Sequence, residues 1–180
     1  RSQADVSPRR VIDGSTLEMM AVGDDGRLAL GREIAGLNYM NLVARDLQSG
    51  RTATLLKGTP SASWFRPLLS KDGRVVAYRW LNIESGRERH MSLRVVRTDA
   101  DGAQEIILPS VTQTTNPLGW SPDGKSILVS ITPQELAWVS LESKSVQTVK
   151  TFETWREVYD ATVSPDGRWV AYVSDESGRD

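Results

Sequence analysis

A short turn sequence recurs along the chain and constrains its fold more than any other feature. In each copy an Asp-Gly pair is followed by a basic residue and a run of strand-forming residues. Aspartate is favoured in such tight turns, and glycine supplies the positive φ that closes them. The turn glycines lie at 26, 73, 124 and 167, a period of about 47 residues that indicates a repeat architecture. The predicted turn residues are Asp25, Gly26, Asp72, Gly73, Pro122, Asp123, Gly124, Pro165, Asp166 and Gly167.

Each turn is followed by further short strand patterns. In the first repeat, Leu42–Arg45 precedes a turn at Gln48–Gly50 and another strand pattern at Thr52–Leu56. Four short antiparallel strands joined by hairpins make one blade of a β-propeller, so we predict an all-β chain of about three whole blades and a partial one. The predicted segments are 1–14 (last strand of a preceding blade), 15–58, 59–111 and 112–153 (blades) and 154–180 (first half of a further blade), all in one propeller domain.

The ends of the chain fall in the middle of a repeat. Propellers usually carry 4 to 8 blades, so we expect the chain to be a fragment of a larger propeller. The alternative is self-association, in which two copies join their open blade edges into one ring. Open stacks expose strand edges and apolar faces, and both favour association.

Composition excludes several classes of site. The 180 residues include 22 basic and 23 acidic side chains, and this balance argues against binding of nucleic acid through bulk phosphate attraction. The absence of cysteine excludes disulfide scaffolds, thiolate zinc sites and cysteine nucleophiles. No apolar run approaches the roughly 20 residues that span a bilayer. We therefore predict no catalytic residue, no metal ligand, no cofactor, no nucleic-acid partner and no direct membrane insertion.

Two motifs imitate ligand loops. Residues 119–126 satisfy the phosphate-loop pattern G-x-x-x-x-G-K-S, but a phosphate loop needs a helix after it, and the following residues are typical of a strand. Residues 99–102 resemble part of a calcium loop, but Arg97 and Leu108 stand where acidic ligands are required. We interpret both motifs as hairpin turns, and calcium elsewhere on the chain stays open.

Adjacent aromatic and arginine residues are the candidate binding residues. Trp64, Phe65 and Arg66 precede the first strand of one blade, and Trp155 and Arg156 precede that of another. Tryptophan and arginine are enriched at the anchors of protein interfaces. Packing between blades is the alternative for both tryptophans, and packing is the predicted role of Trp120, Trp138 and Trp169.

The charged segment from Asn82 to His90 is predicted to be a long loop that completes this surface. Its candidate binding residues are Arg87, Arg89 and His90. His90 is interpreted as a solvated loop histidine or a partner contact. A catalytic role would require a nucleophile, and the sequence contains no G-x-S-x-G elbow.

The segment Pro165-Asp166-Gly167-Arg168-Trp169-Val170-Ala171-Tyr172-Val173-Ser174 resembles the TolB-type, WD-repeat-like propeller family, and residues 121–129 match the same pattern. The resemblance implies a binding scaffold, often extracytoplasmic (periplasmic) in bacteria; a cytoplasmic location stays open. It brings no catalytic residues, because the motif is a structural turn. The segment Ser174-Asp175-Glu176-Ser177-Gly178-Arg179 also resembles propellers fused behind bacterial serine/threonine kinase or other signalling domains. Related turns occur in the gating propellers of prolyl-oligopeptidase-like peptidases.

The leading functional hypothesis is a non-catalytic propeller scaffold that binds a protein or peptide partner. The alternative is a regulatory, sensor or gating propeller domain of a larger enzyme, either a serine/threonine kinase or a prolyl-oligopeptidase-like peptidase. Both hypotheses place any catalytic group outside these 180 residues.

Overall fold

The structure is a computed structural model that describes residues 17–37, 39–83, 89–99, 104–111, 115–132, 134–152, 158 and 160–173. Within these ranges the chain forms fourteen strands and no helix, so no described segment is a helix that could cross a lipid bilayer. The strands are β1 (Leu17–Val22), β2 (Leu28–Ile34), β3 (Met40–Asp46), β4 (Thr52–Leu56), β5 (Ala62–Leu69), β6 (Val75–Ile83), β7 (Arg89–Arg97), β8 (Gln104–Val111), β9 (Asn116–Trp120), β10 (Ser126–Thr132), β11 (Glu135–Ser140), β12 (Val146–Thr151), β13 (Asp160–Val163) and β14 (Val170–Val173).

The described strands form four antiparallel sheets in chain order. Three sheets have four strands each, in the orders β1-β2-β3-β4, β5-β6-β7-β8 and β9-β10-β11-β12, and the fourth consists of β13 and β14. The first strands of successive sheets contact one another: β1 meets β5, β5 meets β9 and β9 meets β13. The first strands therefore lie innermost, as in a propeller. The prediction of an all-β chain of four-stranded blades is confirmed. Residues 1–14 lie outside the described residues.

Every sheet has two distinct ends. The Asp-Gly turns between first and second strands, and the turns between third and fourth strands, lie together at what we call the turn end. A backbone hydrogen bond joins the two turns of each four-stranded sheet: Leu47 N to Arg27 O (2.7 Å), Thr98 N to Arg74 O (2.9 Å) and Leu141 N to Lys125 O (2.9 Å). At the opposite end, which we call the loop end, the first and third strands begin and the second and fourth strands end.

Alternation of side chains along each strand places the core between the sheets. Val76 and Tyr78 of β6 pack against the first sheet, together with Leu30 and Leu42, in what we call the first seam. Their neighbour Ala77 faces the third sheet in the second seam, with Leu93, Ile127 and Val129. Leu128 and Leu136 face β13 and β14 in the third seam, with Phe152 and Ala161. The second and third sheets are thus apolar on both faces.

The predicted loop from Asn82 to His90 is shorter in the structure. Asn82 pairs with His90 and Ile83 pairs with Arg89, so the β6–β7 ladder continues through both ends of that segment. The prediction that Arg89 and His90 lie in a loop is wrong, because antiparallel pairing extends past the charged residues that suggested one. Residues 84–88, including Arg87, lie outside the described residues.

Candidate functional site

A groove of about 510 Å³ opens at the loop end, between the first and second sheets. The first sheet contributes Met20 and Arg32, β5 contributes Phe65 and Arg66, and β6 contributes Ile83. Three of the lining apolar side chains are partly open to solvent: Met20 is 44% exposed, Phe65 is 38% exposed and Ile83 is 39% exposed. Such a concave surface, apolar with a few charged groups, is typical of a ligand-binding site.

Two β-bulges turn side chains into this groove. In β5, Phe65 pairs with Arg79 and Leu68 with Ala77, so the two intervening residues Arg66 and Pro67 form a bulge. Arg66 has φ 48°, which is a left-handed conformation that costs an arginine free energy. In β1 a second register shift leaves Met20 without a partner in the ladder. Bulges re-aim side chains, and these two supply Arg66 and Met20.

Trp64 supports the groove from beneath. Its side chain is only 7% exposed, and its indole Nε1 donates a hydrogen bond to the carbonyl oxygen of Met40 at 2.8 Å. Because Met40 belongs to the first sheet and Trp64 to the second, this bond fixes the two walls relative to each other. Trp64 belongs to the first seam, whereas its neighbour Phe65 is outside that cluster and 38% exposed.

Phe65 is held by the second and third sheets. The Arg79 guanidinium carbon lies 4.9 Å from the centroid of the Phe65 ring, a distance at which a cation and an aromatic face attract each other. Arg79 Nη1 donates to the Asn116 Oδ1 atom of β9 at 2.8 Å. Asn116 is buried, so the cation beneath Phe65 is fixed to the neighbouring sheet.

The charged residues that line the groove have one sign. They are Arg32 and Arg66, and no carboxylate lines it among the described residues. Arg32 is half-buried, and its Nε donates to Glu18 Oε2 at 2.7 Å. Arg66 is exposed at the bulge. The groove therefore combines an apolar floor with positive charge at its rim.

The structure brings some of the predicted binding residues together. Trp64, Phe65 and Arg66 all line the groove. The prediction that they precede the first strand is wrong: they lie within β5, because pairing with β6 extends through them. His90 is exposed on β7. Trp155 and Arg156 lie outside the described residues. Sequence reasoning missed Met20, Arg32 and Ile83, because their place in the groove depends on a bulge and on the approach of two sheets. A methionine or isoleucine in a strand pattern is otherwise indistinguishable from core.

Among the tryptophans predicted to pack, Trp120 and Trp138 are half-buried beside the second and third seams. The indole Nε1 of Trp120 donates to Leu68 O, in the preceding sheet, at 3.2 Å. Trp169 lies directly before β14 and is 71% exposed. The packing prediction for Trp169 is wrong in this structure, because β14 has no following sheet among the described residues.

The four Asp-Gly turns share one hydrogen-bonded geometry at the turn end. The glycines have φ between 66° and 72°, and each donates its N–H to the carbonyl oxygen three residues earlier at 2.8–2.9 Å. In the last three turns a serine hydroxyl also donates to the aspartate, as Ser121 does to Asp123 at 2.6 Å. That bond lowers the pKa of Asp123, and a hydrogen bond from the Lys125 backbone N–H lowers the pKa further.

The same geometry decides the role of the phosphate-loop pattern. Asp123 Oδ1 accepts the N–H of Lys125 at 3.0 Å, and Ser121 Oγ accepts the N–H of Ser126 at 2.9 Å. The loop's own side chains thus take up N–H groups that a phosphate loop would direct at its ligand. The turn leads into strand β10, so these residues form a hairpin. Among the described residues, no three His, Asp or Glu side chains cluster as metal ligands would.

Known structures share this architecture at low sequence identity. TolB from Acinetobacter baumannii superposes with a TM-score of 0.67 at 16% identity, over 97% of this chain and 42% of that chain. An oligogalacturonate lyase in complex with manganese gives 0.66 at 11%, over 94% and 50%. A prolyl endopeptidase gives 0.63 at 17%, over 89% and 25%.

This chain therefore spans half or less of the length of these three structures. No family model matches the sequence, and no curated protein matches it. Identities this low show the fold alone. With the sheet order and the innermost first strands described above, they establish that the chain has a TolB-like β-propeller fold.

Proposed function

We propose that this chain is a non-catalytic propeller module that binds a segment of a protein partner in the groove at the loop end. One observation carries the proposal: Met20, Phe65 and Ile83, from three different strands, expose apolar surface around a single concavity. Apolar surface gathered in this way is typical of interaction sites. The bond from Trp64 to Met40 joins the two sheets that border the concavity.

The chemistry of the lining favours binding over catalysis. Hydroxyl groups are present at Thr59, Ser61 and Ser63, but no histidine or carboxylate lines the groove among the described residues to act as a base. An unassisted hydroxyl is a weak nucleophile. The likeness to TolB also supports a scaffold in a bacterial, extracytoplasmic setting, and we include that location in the proposal.

Selection from a displayed random-peptide library tests the proposal directly. We expect peptides that bind the parent chain saturably and bind a Phe65→Ser variant at least about tenfold more weakly, because burial of a phenylalanine side chain contributes about 1.5–3 kcal/mol. Val149→Ser is the matched control, since Val149 is 44% exposed on β12, outside the groove. Affinities would be measured by fluorescence anisotropy.

Two results would contradict the proposal. One is the failure of any selected peptide to bind the parent chain saturably. The other is equal binding to the parent and to Phe65→Ser, with circular dichroism spectra showing both folded, which would place the binding site elsewhere. Equal weakening by Phe65→Ser and Val149→Ser would also contradict the proposal. It would indicate that the peptides bind nonspecifically to any exposed apolar residue.

A further inference from the structure

We infer that a second site lies at the turn end: a pocket that binds a short peptide with free termini through Asp24 and Lys71. The pocket has a volume of about 340 Å³ and lies where the first strands end, so that all four described sheets contribute residues to it. Small-molecule sites begin at about 300 Å³. None of its described lining residues lines the groove at the loop end, so the inference does not depend on the proposed function.

One position of the repeat supplies a lining residue from every Asp-Gly turn. It is the position two residues before the turn glycine, occupied by Asp24, Lys71, Pro122 and Pro165. Proline suits this position because its ring presets φ. The first two turns carry opposite charges there instead. Departures from a local structural rule concentrate at functional sites, and these two departures meet at one pocket.

The two charges have no partner within the described part of the chain. Asp24 and Lys71 are both exposed, and neither the Asp24 carboxylate nor the Lys71 ammonium makes a hydrogen bond or an ion pair there. The turn aspartates differ in this respect, since the Asp72 carboxylate accepts a hydrogen bond from Ser70 Oγ at 2.7 Å. The pocket therefore offers one anion and one cation to a ligand.

Apolar side chains line the pocket beside these charges. They include the half-buried Leu68, Leu69 and Trp120 and the buried Leu118. The bond from Trp120 Nε1 to Leu68 O fixes the indole between two sheets. Because the two charges belong to different sheets, the ligand must carry its own charges apart, as the ammonium and carboxylate of a peptide are. Complementary charge at both ends gives specificity for such a ligand.

The test compares free and blocked forms of Leu-Leu and Leu-Leu-Leu, with affinities measured by isothermal titration calorimetry. We expect at least one free peptide to bind the parent chain saturably. Acetylation removes the charge that faces Asp24, and amidation removes the charge that faces Lys71. Each blocked form should bind about threefold to fivefold more weakly, since the contribution of an exposed ion pair lies in that range.

Substitutions assign each end of the peptide to one residue. Asp24→Asn should abolish the effect of acetylation and keep that of amidation, and Lys71→Gln should do the reverse. Lys71→Pro restores the residue of the later turns, so it should act like Lys71→Gln without lowering the unfolding temperature. The matched controls are Glu142→Gln and Lys125→Gln, which remove exposed charges at the turn end of the third sheet, outside the lining. They should leave both effects unchanged.

Three results would overturn the inference. One is that neither free peptide binds the parent chain saturably, and another is that the blocked forms bind as tightly as the free ones. The third is a change in the control variants as large as in Asp24→Asn or Lys71→Gln, which would assign the preference to overall charge. Phe65→Ser should leave the affinity for the dipeptide and tripeptide unchanged. If it weakens them, these peptides bind in the groove, and the site at the turn end is wrong.

Discussion

The glycine of each Asp-Gly turn adopts a backbone conformation that other residues reach only at a cost. Gly124 has φ 69°, and a Cβ added there would meet no atom within 4 Å. Gly124→Ala therefore isolates the conformational cost, and we expect it to destabilise the fold by about 1–2 kcal/mol. Gly124→Asn should cost clearly less, because asparagine tolerates this region. Urea unfolding followed by tryptophan fluorescence would measure both changes.

Gly58→Ala provides the contrasting case for that experiment. Its added Cβ would lie 2.4 Å from the Met40 carbonyl oxygen, so its cost is steric, and asparagine should be no better tolerated than alanine. If alanine and asparagine destabilise equally at Gly124 as well, the left-handed backbone is not what that turn requires. The Asp-Gly turns could be predicted from the sequence because they depend on local features: the aspartate accepts a hydrogen bond from a backbone N–H two residues on, and the glycine adopts a positive φ.

Tryptophan side chains join successive sheets through hydrogen bonds to backbone. Trp64 Nε1 donates to Met40 O at 2.8 Å, and Trp120 Nε1 donates to Leu68 O at 3.2 Å. Trp120→Phe removes one of these donors and keeps an aromatic ring. We expect a loss of about 1 kcal/mol in unfolding free energy, since the Leu68 carbonyl would lose its bond to the indole. Urea titration of the purified variant measures it.

The control for that prediction is Trp138→Phe, in the third seam. Among the described residues the Trp138 indole makes no hydrogen bond to the backbone of another sheet. Trp138→Phe therefore makes the ring smaller without removing such a bond. Equal destabilisation by the two substitutions would mean that the bond from Trp120 contributes nothing beyond packing.

Strand positions and strand irregularities differ in how far the sequence predicts them. The repeat pattern and the preceding turn placed β4 at Thr52–Leu56, as the structure has it. The bulges at Met20 and Arg66 depend on the register in which β1 pairs with β2 and β5 with β6, and no local residue pattern marks that register. The pairing of Asn82 with His90 likewise overrides the local preference of a charged segment for a loop. The contribution of Met20 to the groove and the backbone conformation of Arg66 were therefore beyond prediction.

The described sheets pack against their neighbours in chain order through three separate apolar seams. In such a linear arrangement, stability is a sum of sheet and interface contributions, and a local defect destabilises the sheets that share its seam. The two-stranded sheet β13–β14 depends most on its neighbour, because an isolated hairpin is marginally stable in water. Its contact with the third sheet is the third seam, which includes the buried Leu136.

Leu136→Ala should therefore release β13 and β14 before the other strands. Leu136 is 1% exposed, and truncation of such a side chain costs about 2–5 kcal/mol. Hydrogen exchange followed by mass spectrometry should show the largest increase in β13–β14 and the adjoining third sheet, with little change in β2 and β3. Leu42→Ala, at a fully buried leucine of the first seam, should give the reverse pattern. If both variants raise exchange equally in every sheet, the chain unfolds as one cooperative unit, and the seams are not energetically separate.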